Sequence, residues 1–503
     1  MDILNGLAGG FGIALTPTSL LFILVGVIIG QIVGALPGIG GSAGMALLLP
    51  LTYGMEPVTA LMMLAGIMYG SQYGNTLSAV LLNVPGDSSS VMTALEGNMM
   101  ARKGLAGKAL SISAVASFCS GTFAVVVLAV ATPIISAFAL KFSSPEYFLL
   151  ALLGITATAT FGDGSTVKAL LAAVFGLMLA LVGVDPISGL TRLTFGSSNL
   201  LDGIDFLPVA IGLFGIAEIL ISLESQVRPV VMAARLRDLW PRAADLLAVR
   251  WSIARGWLVG FLVGVMPGTG PTVATFLTYV TERRFARKPQ EFGTGSPEAL
   301  GAVEASNNAA VTGAMVPMLS LGIPGSASTA VLLAAFVLLG LRPGPMLMVQ
   351  QPALVWGLIA SMFVGNLILL VLNLPLAPLF ASLLRIPYVY LAPGILILSM
   401  VGAYATTLSL FTVGTMLVFG GVGYLMAKAG IPRAPVVLAL VLGPIMESAL
   451  RQSLTLSLGS PAIFVTRPIS ALLLALVIAS LALPLLARHR ARAARRRAAA
   501  GGR

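Results

Sequence analysis

An all-α polytopic membrane protein, built as two inverted repeats, is the fold class the sequence predicts, and three observations predict it. Of 503 residues 57% are hydrophobic and only 9% charged, with a mean hydropathy of +1.00, where a soluble domain carries about a quarter charged residues. Apolar runs approach or pass the roughly 20 residues a spanning helix needs, with almost no aqueous-domain sequence between them. Two proline-glycine motifs of the first half recur, in the same order, in the second half.

The remaining composition narrows the function. A net charge of +11 could suggest nucleic acid, but the basic residues gather in a few short loops and in the tail from Arg488 to Arg503. That is the pattern of cytoplasmic loops under the positive-inside rule, so nucleic-acid binding is excluded. The single cysteine, Cys119, forbids an internal disulfide and reads as a small packed residue. With one histidine, His489, in the tail, His/Cys metal clusters and His-dependent hydrolase triads are excluded as well. No short apolar run with a small-residue cleavage site precedes the first long one, so no removed signal peptide is read.

Taken in order, Met1 to Pro17 is rich in glycine and reads as a short interfacial segment. Leu20 to Leu36 is apolar, Pro37-Gly38-Ile39-Gly40-Gly41-Ser42 interrupts it, and Ala43 to Leu51 resumes. Each half reads as too short to span alone, which predicts a re-entrant hairpin with the glycine turn at its tip. Glu56-Pro57 opens the next helix, with proline at an early position. That helix is broken at Asn83-Val84-Pro85-Gly86-Asp87-Ser88-Ser89-Ser90. Proline removes a backbone donor, and an unsatisfied peptide group in hydrocarbon costs several kcal/mol, so a break at that depth needs protein or water to cover it. An aspartate there costs roughly 2.5 to 3.5 kcal/mol on insertion scales, which points to a binding or ion site. A loop at the membrane surface would carry the same residues without that cost, and this alternative stays open.

Arg102-Lys103-Gly104 to Lys108 is a basic, hence cytoplasmic, loop. Apolar segments come next at Ser111 to Leu140, Glu146 to Phe161, Val167 to Val184 and Phe206 to Leu223, and then a basic loop from Arg228 to Arg255. Beyond it, Gly34-Ala35-Leu36-Pro37-Gly38-Ile39-Gly40 recurs as Gly264-Val265-Met266-Pro267-Gly268-Thr269-Gly270, an offset of 230 (264 − 34). Asn83-Val84-Pro85-Gly86-Asp87-Ser88 recurs as Gly322-Ile323-Pro324-Gly325-Ser326-Ala327, an offset of 239 (324 − 85). The first hairpin is flanked by segments without Lys or Arg, the second by Arg228 to Arg255 and by Arg283, Arg284, Arg287 and Lys288, so the repeats are predicted to be inverted. Further segments at Ala353 to Leu372, Tyr388 to Ala405, Leu408 to Met426, Ala434 to Met446 and Pro468 to Leu486 complete about ten crossings and two hairpins. The organisation expected is a first repeat over 1–227, a cytoplasmic linker 228–255, a second repeat 256–450, a C-terminal helix 451–487 and a basic tail 488–503. The N-terminus is expected outside and the C-terminus inside.

Four breaks, at Pro37, Pro85, Pro267 and Pro324, would meet near the midplane of such an arrangement, where secondary transporters hold substrate and coupling ion. A half-helix starting at a tip offers free N–H groups and about half a positive charge, which suits a carboxylate; one ending there offers carbonyls, which suit a cation. Candidate substrate contacts are the tip glycines Gly38, Gly40, Gly86, Gly268, Gly270 and Gly325. The polar candidates are Ser42, Asn83, Ser88, Ser89, Thr272, Asn308 and Ser326. Asp87, Asn75 and Asn307 are candidates for coupling an ion. Na⁺ is the one metal this admits, H⁺ the other coupling ion, and no cofactor is expected. Beside these stand plainer readings. A serine next to glycine serves close helix packing, and Asp87 caps the half-helix beginning at Ser88. Glu304 lies solvated in a polar stretch, and Glu447 and Arg451, four apart, form a structural ion pair. The glycine turns lack the Lys-Ser/Thr of a phosphate-cradling loop, so ATP does not drive the process from within this chain.

Gly66-Ile67-Met68-Tyr69-Gly70-Ser71-Gln72-Tyr73-Gly74-Asn75 leading to Leu81-Leu82-Asn83-Val84-Pro85-Gly86, with Ala305-Ser306-Asn307-Asn308 leading to Leu321-Gly322-Ile323-Pro324-Gly325-Ser326, resembles the large membrane subunit of the tripartite tricarboxylate transporters. Leu442-Gly443-Pro444-Ile445-Met446-Glu447 and Thr466-Arg467-Pro468 resemble that family's C-terminal pattern. The resemblance implies a bacterial inner-membrane secondary transporter for carboxylates, not an enzyme. It also implies a small four-helix membrane subunit and a periplasmic solute-binding protein as partners, and leaves a homo-oligomer open. The function expected is cation-coupled import of a di- or tricarboxylate or related organic anion; the alternative is a channel-like permease without coupling.

Overall fold

The computed structural model describes residues 3–36, 40–161, 165–185, 188–224, 239–383 and 388–482. The chain is almost wholly helical and forms two compact units, one of Met1–Leu140 with Asp205–Ala429, the other of Lys141–Ile204 with Gly430–Arg503. These units cut across the chain-order divisions, because a unit is defined by packing and a repeat by sequence. Among the described residues seven helices are long and apolar enough to cross a membrane. The expectation of about ten crossings also counted shorter or more polar helices, such as Pro57–Leu82, which that criterion leaves out.

The first unit opens with α1 (Ile3–Ala14) and α2 (Pro17–Ala35), the latter started by Thr16, whose hydroxyl accepts from the Ser19 amide. At 19 residues α2 is long enough to cross by itself, spanning about 28 Å at 1.5 Å per residue. The expectation that both hairpin arms are too short is thus corrected for the first arm, because the helix begins at Pro17 and not Leu20. After the turn, α3 (Gly40–Leu48) is short and continues as a 3₁₀ turn to Thr52. The long α4 (Pro57–Leu82) ends at Asn83, held in the left-handed region at φ +57°, a conformation asparagine tolerates better than most residues. After the break short helical turns run from Ser88 to Leu105, so Arg102 to Lys108, expected as a loop, is helical with a kink at Gly104 (φ +77°). A 34-residue helix follows, α5 (Ala106–Ala139), then α6 (Phe206–Glu224), which contains a π turn at Ile211–Ile216.

The second half of this unit repeats the pattern. Helix α7 (Ala243–Val265) and α8 (Gly270–Phe285) form a hairpin, and α9 (Pro297–Gly313) runs into α10 (Met315–Leu321), which ends at Gly322 at φ +73°. Helix α11 (Ala327–Leu338) restarts after that break. Since α7 begins at Ala243, the latter part of the basic stretch 228–255 is helix and not loop; residues 228–238 lie outside the described residues. The unit closes with α12 (Pro352–Leu383), α13 (Tyr388–Thr407) and α14 (Leu410–Lys428).

Glycine sets the closest contacts. Gly26, Gly30 and Gly34 lay α2 directly on the backbone of Met63, Ile67 and Ser71 of α4, and Gly256, Gly260 and Gly264 lay α7 on Ala302, Ser306 and Ala310 of α9. A Cβ at any of the six would strike a carbonyl oxygen, so the two helix pairs approach as only small residues allow. The two glycine sets stand 230 residues apart (264 − 34) and their partners 239 apart (310 − 71), the offsets of the two sequence motifs.

The second unit holds α15 (Ser144–Phe161), α16 (Thr166–Ala180), α17 (Ala434–Leu456) and an apolar helix α18 (Pro468–Ala482). A two-stranded ribbon pairs Gly183–Val184 with Thr191–Arg192. The ion pair expected between Glu447 and Arg451 is present at 2.7 Å and belongs to a larger network, in which Arg192 also reaches Glu447 at 2.7 Å and Arg451 reaches Asp185 at 3.0 Å. Cys119 is half-buried on α5 and free.

Candidate functional site

The first unit brings its half-helix starts together. Gly40, the first residue of α3, has φ +59° and lies against the Asp87 side chain; Gly270, the first of α8, has the same φ and lies against Ser326. Asp87 and Ser326 are both extended, at φ −142° and −152°, and each caps the helical turn that starts at the next residue. Ser326 makes a reciprocal capping box with Thr329. Asp87 accepts from the Ser89 amide at 2.9 Å, the Ser89 hydroxyl at 2.5 Å and the Asn75 side-chain amide at 2.8 Å. Gly86 sits against Asn75 and the Gly34 carbonyl, Gly325 against Ala314 and the Gly264 carbonyl, and the Gly268 amide donates to the Gly325 carbonyl at 3.2 Å. Ser88 and Thr272 share a hydrogen bond at 2.7 Å, which ties the first break to the second hairpin.

Most of the residues expected at the tips are therefore in contact there. Ser88 is exposed, Thr272 and Ser42 half-exposed, and Ser89 buried. Asn83 is exposed at the end of α4, and Gly38 lies outside the described residues. Asp87 caps through Oδ1, while Oδ2 takes the Asn75 amide, so the cap that the plainer reading expected is present. The hydrogen-bond partners of Asp87 and Ser326 include no Lys or Arg among the described residues, and a helix start such as that of α3, α8 or α11 carries a partial positive charge.

Asn307 and Asn308 are elsewhere. Both are buried on α9, one turn from Glu304, and neither polar atom of the Asn307 side chain has a partner among the described residues. Asn308 donates to the Ser117 hydroxyl at 2.7 Å. Glu304, expected to be solvated, is 1% exposed. It is buried because α9 is packed on α4, α5, α7 and α8 at once. Its carboxylate accepts from Thr76 of α4 at 2.8 Å and Ser117 of α5 at 3.2 Å, and from Thr93. Sequence reading missed this group; the signal was a lone acid amid alanine, serine and asparagine on a helix with too few charges for a solvated face.

With this geometry in place, a model of the tripartite tricarboxylate transporter TctA family matches residues 20–438. The chain belongs to that family. An uncharacterized 52.8 kDa protein from the TAR-I ttuC' 3' region of Agrobacterium vitis is 43% identical over 486 residues, 97% of each chain. A second uncharacterized protein of that organism, from the TAR-II ttuC' 3' region, is 43% identical over 227 residues, 45% of this chain and 94% of its own. No solved structure gives a significant match. The TctA match begins within α2 and ends within α17, so it takes in both hairpins and both breaks. This TctA chain is thus a multi-pass membrane subunit of a tripartite tricarboxylate transporter.

Proposed function

We propose that this subunit is the permease of a secondary transporter that imports a di- or tricarboxylate, or a related organic anion, with a cation gradient. Its two halves would be inverted repeats alternating access around the tips at Gly40, Asp87, Gly270 and Ser326. A periplasmic binding protein would deliver the anion, a small four-helix membrane subunit would complete the assembly, and the chain would lie in the bacterial inner membrane with its N-terminus periplasmic. The observation carrying this reading is the convergence of three half-helix starts and the exposed Ser88–Thr272 pair on one place. Helix N-termini attract carboxylates, and their partial charges hold an anion without the tighter grip of an arginine.

The test is uptake of labelled citrate, malate and succinate by vesicles carrying the full assembly. Ser88→Ala combined with Thr272→Val should cut uptake at least tenfold with the protein level unchanged. Wild-type uptake by that double variant would remove the tips from the substrate path. An uncoupled permease would equilibrate the anion without accumulating it, so collapsing the ion gradients separates the two functions.

A further inference from the structure

Glu304 is enclosed by neutral groups. Thr76, Thr93 and Ser117, from three separate segments, turn hydroxyls onto it, and no Lys or Arg among the described residues forms an ion pair with it. Asp87 and Tyr73 are titratable groups near it, and the Tyr73 hydroxyl donates to Asn366 at 3.3 Å. Tyr69 on α4 shares its hydroxyl with Thr312, and Cys119 on α5 is the remaining titratable group near Tyr73. Of the other charged or titratable groups on the packed elements, Arg283 and Arg284 lie in the last turn of α8, and several more are engaged elsewhere. Lys108 binds Asp245 at 2.7 Å, Arg255 binds Glu282 at 2.7 Å, and Tyr279 donates to Glu96 at 2.7 Å. An anion buried without a cation is costly, whereas the neutral acid is not.

The hydrogen bonds around Glu304 accommodate both forms. The Asn308 amide nitrogen can only donate, so Ser117 accepts from it at 2.7 Å and donates its own proton to Glu304 at 3.2 Å. Thr76 has one proton and two acceptors in reach, Glu304 at 2.8 Å and the Gln72 carbonyl at 3.2 Å. When Glu304 is ionised, Thr76 donates to it. When it is protonated, its O–H donates to Thr76 and Thr76 donates to Gln72. The two states differ by rotation of one hydroxyl, and each leaves the carboxyl group partnered. Thr76 is also next to Asn75, which holds Asp87 at the tip at 2.8 Å, so neighbouring residues of α4 touch both carboxylates. A cation such as Na⁺ would need a shell of oxygens around itself, whereas the Thr76 and Ser117 hydroxyls lie at direct hydrogen-bond distance from the carboxylate, 2.8 and 3.2 Å.

We propose that Glu304 binds and releases the proton that drives transport, with Thr76 as the residue that positions it. The proton is taken from water on one side of the membrane, forms an O–H bond at the Glu304 carboxylate and leaves to water on the other, with no change of oxidation state. This rests on the transport reading above. It is tested first without any substrate, by infrared difference spectroscopy of the full chain in lipid while pH is varied between about 5 and 9. A carboxylic C=O band that grows as pH falls, is lost in Glu304→Gln, persists in Asp87→Asn and shifts in Thr76→Val is the expected result. Absence of that band in the wild-type protein overturns the proposal, as does its removal by Na⁺ at constant pH. In vesicles, Glu304→Gln should keep exchange of internal for external carboxylate yet lose accumulation sensitive to a protonophore. Normal accumulation by Glu304→Gln also overturns it. Lack of any carboxylate uptake by the wild-type assembly would sink the transport reading instead, and the spectrum would still decide whether Glu304 binds a proton.

Discussion

Glu96 offers the sharpest test of how the two halves of the first unit are joined. Its side chain is fully buried, and its two oxygens take four hydrogen bonds: Tyr279 at 2.7 Å and the Gly293 amide at 2.5 Å on one, the Gly295 and Ser296 amides at 2.8 Å each on the other. Three of these donors lie in the loop that leads into α9, whose first residue is Pro297, and the fourth, Tyr279, lies on α8. Glu96→Gln preserves volume but places an amide N–H₂ against two of the donors. Two bonds of about 1.5–3 kcal/mol each are lost, and the other two fall to neutral strength, for a total of about 4 kcal/mol. For a unit of this size that lowers the unfolding midpoint by roughly 5 °C or more. The check is monodisperse protein remaining after heating in detergent, with proteolysis of the 286–296 loop as a local readout. An unchanged midpoint and an unchanged cleavage rate would refute the clasp.

Two further substitutions separate packing from function. Gly264→Ala puts a methyl group into the Ala310 carbonyl, an overpacking of about 1–3 kcal/mol, or more because the obstacle is backbone. Yield and thermal midpoint should both fall, while Gly9→Ala, which meets nothing within 4 Å, should match or exceed wild type in the same assay. Ser326→Asp keeps a capping oxygen of the kind Asp87 already supplies, so stability should stay within about 1 kcal/mol of wild type. The added negative charge beside Gly270 should nevertheless weaken carboxylate uptake severalfold. Equal uptake would place the anion away from α11.

Helix content and the two breaks were legible because their signals are local. Proline and glycine fix where a helix stops. The residue at which each helix starts was less legible: α7 begins directly after Arg242 and carries Arg250 and Arg255, because arginine is a good helix former and does not by itself end a helix. Glu304 was illegible for a different reason. Its partners Thr76, Thr93 and Ser117 are distant in sequence, and a threonine that packs reads the same as one that donates to a carboxylate. The glycine spacing in α2 and α7 was visible as composition, but its meaning depends on partner backbones 37 and 46 residues away (71 − 34 and 310 − 264).

The two carboxylates nearest the tips divide the work according to their donors. Asp87 receives a backbone amide, a hydroxyl and a side-chain amide; the two N–H groups can only donate, so this shell suits a carboxylate held in place as a cap. Glu304 receives hydroxyls alone. A hydroxyl can donate or accept, so this shell serves the acid and its anion alike. A site that must cycle between two protonation states needs the second kind of shell, and a cap needs the first. On this argument, exchanging one shell for the other should convert the roles: Thr76→Asn, which brings an N–H donor to Glu304, should hold that carboxylate charged and slow proton-driven accumulation while sparing exchange. Accumulation at the wild-type rate in Thr76→Asn would show that the shell does not decide the role.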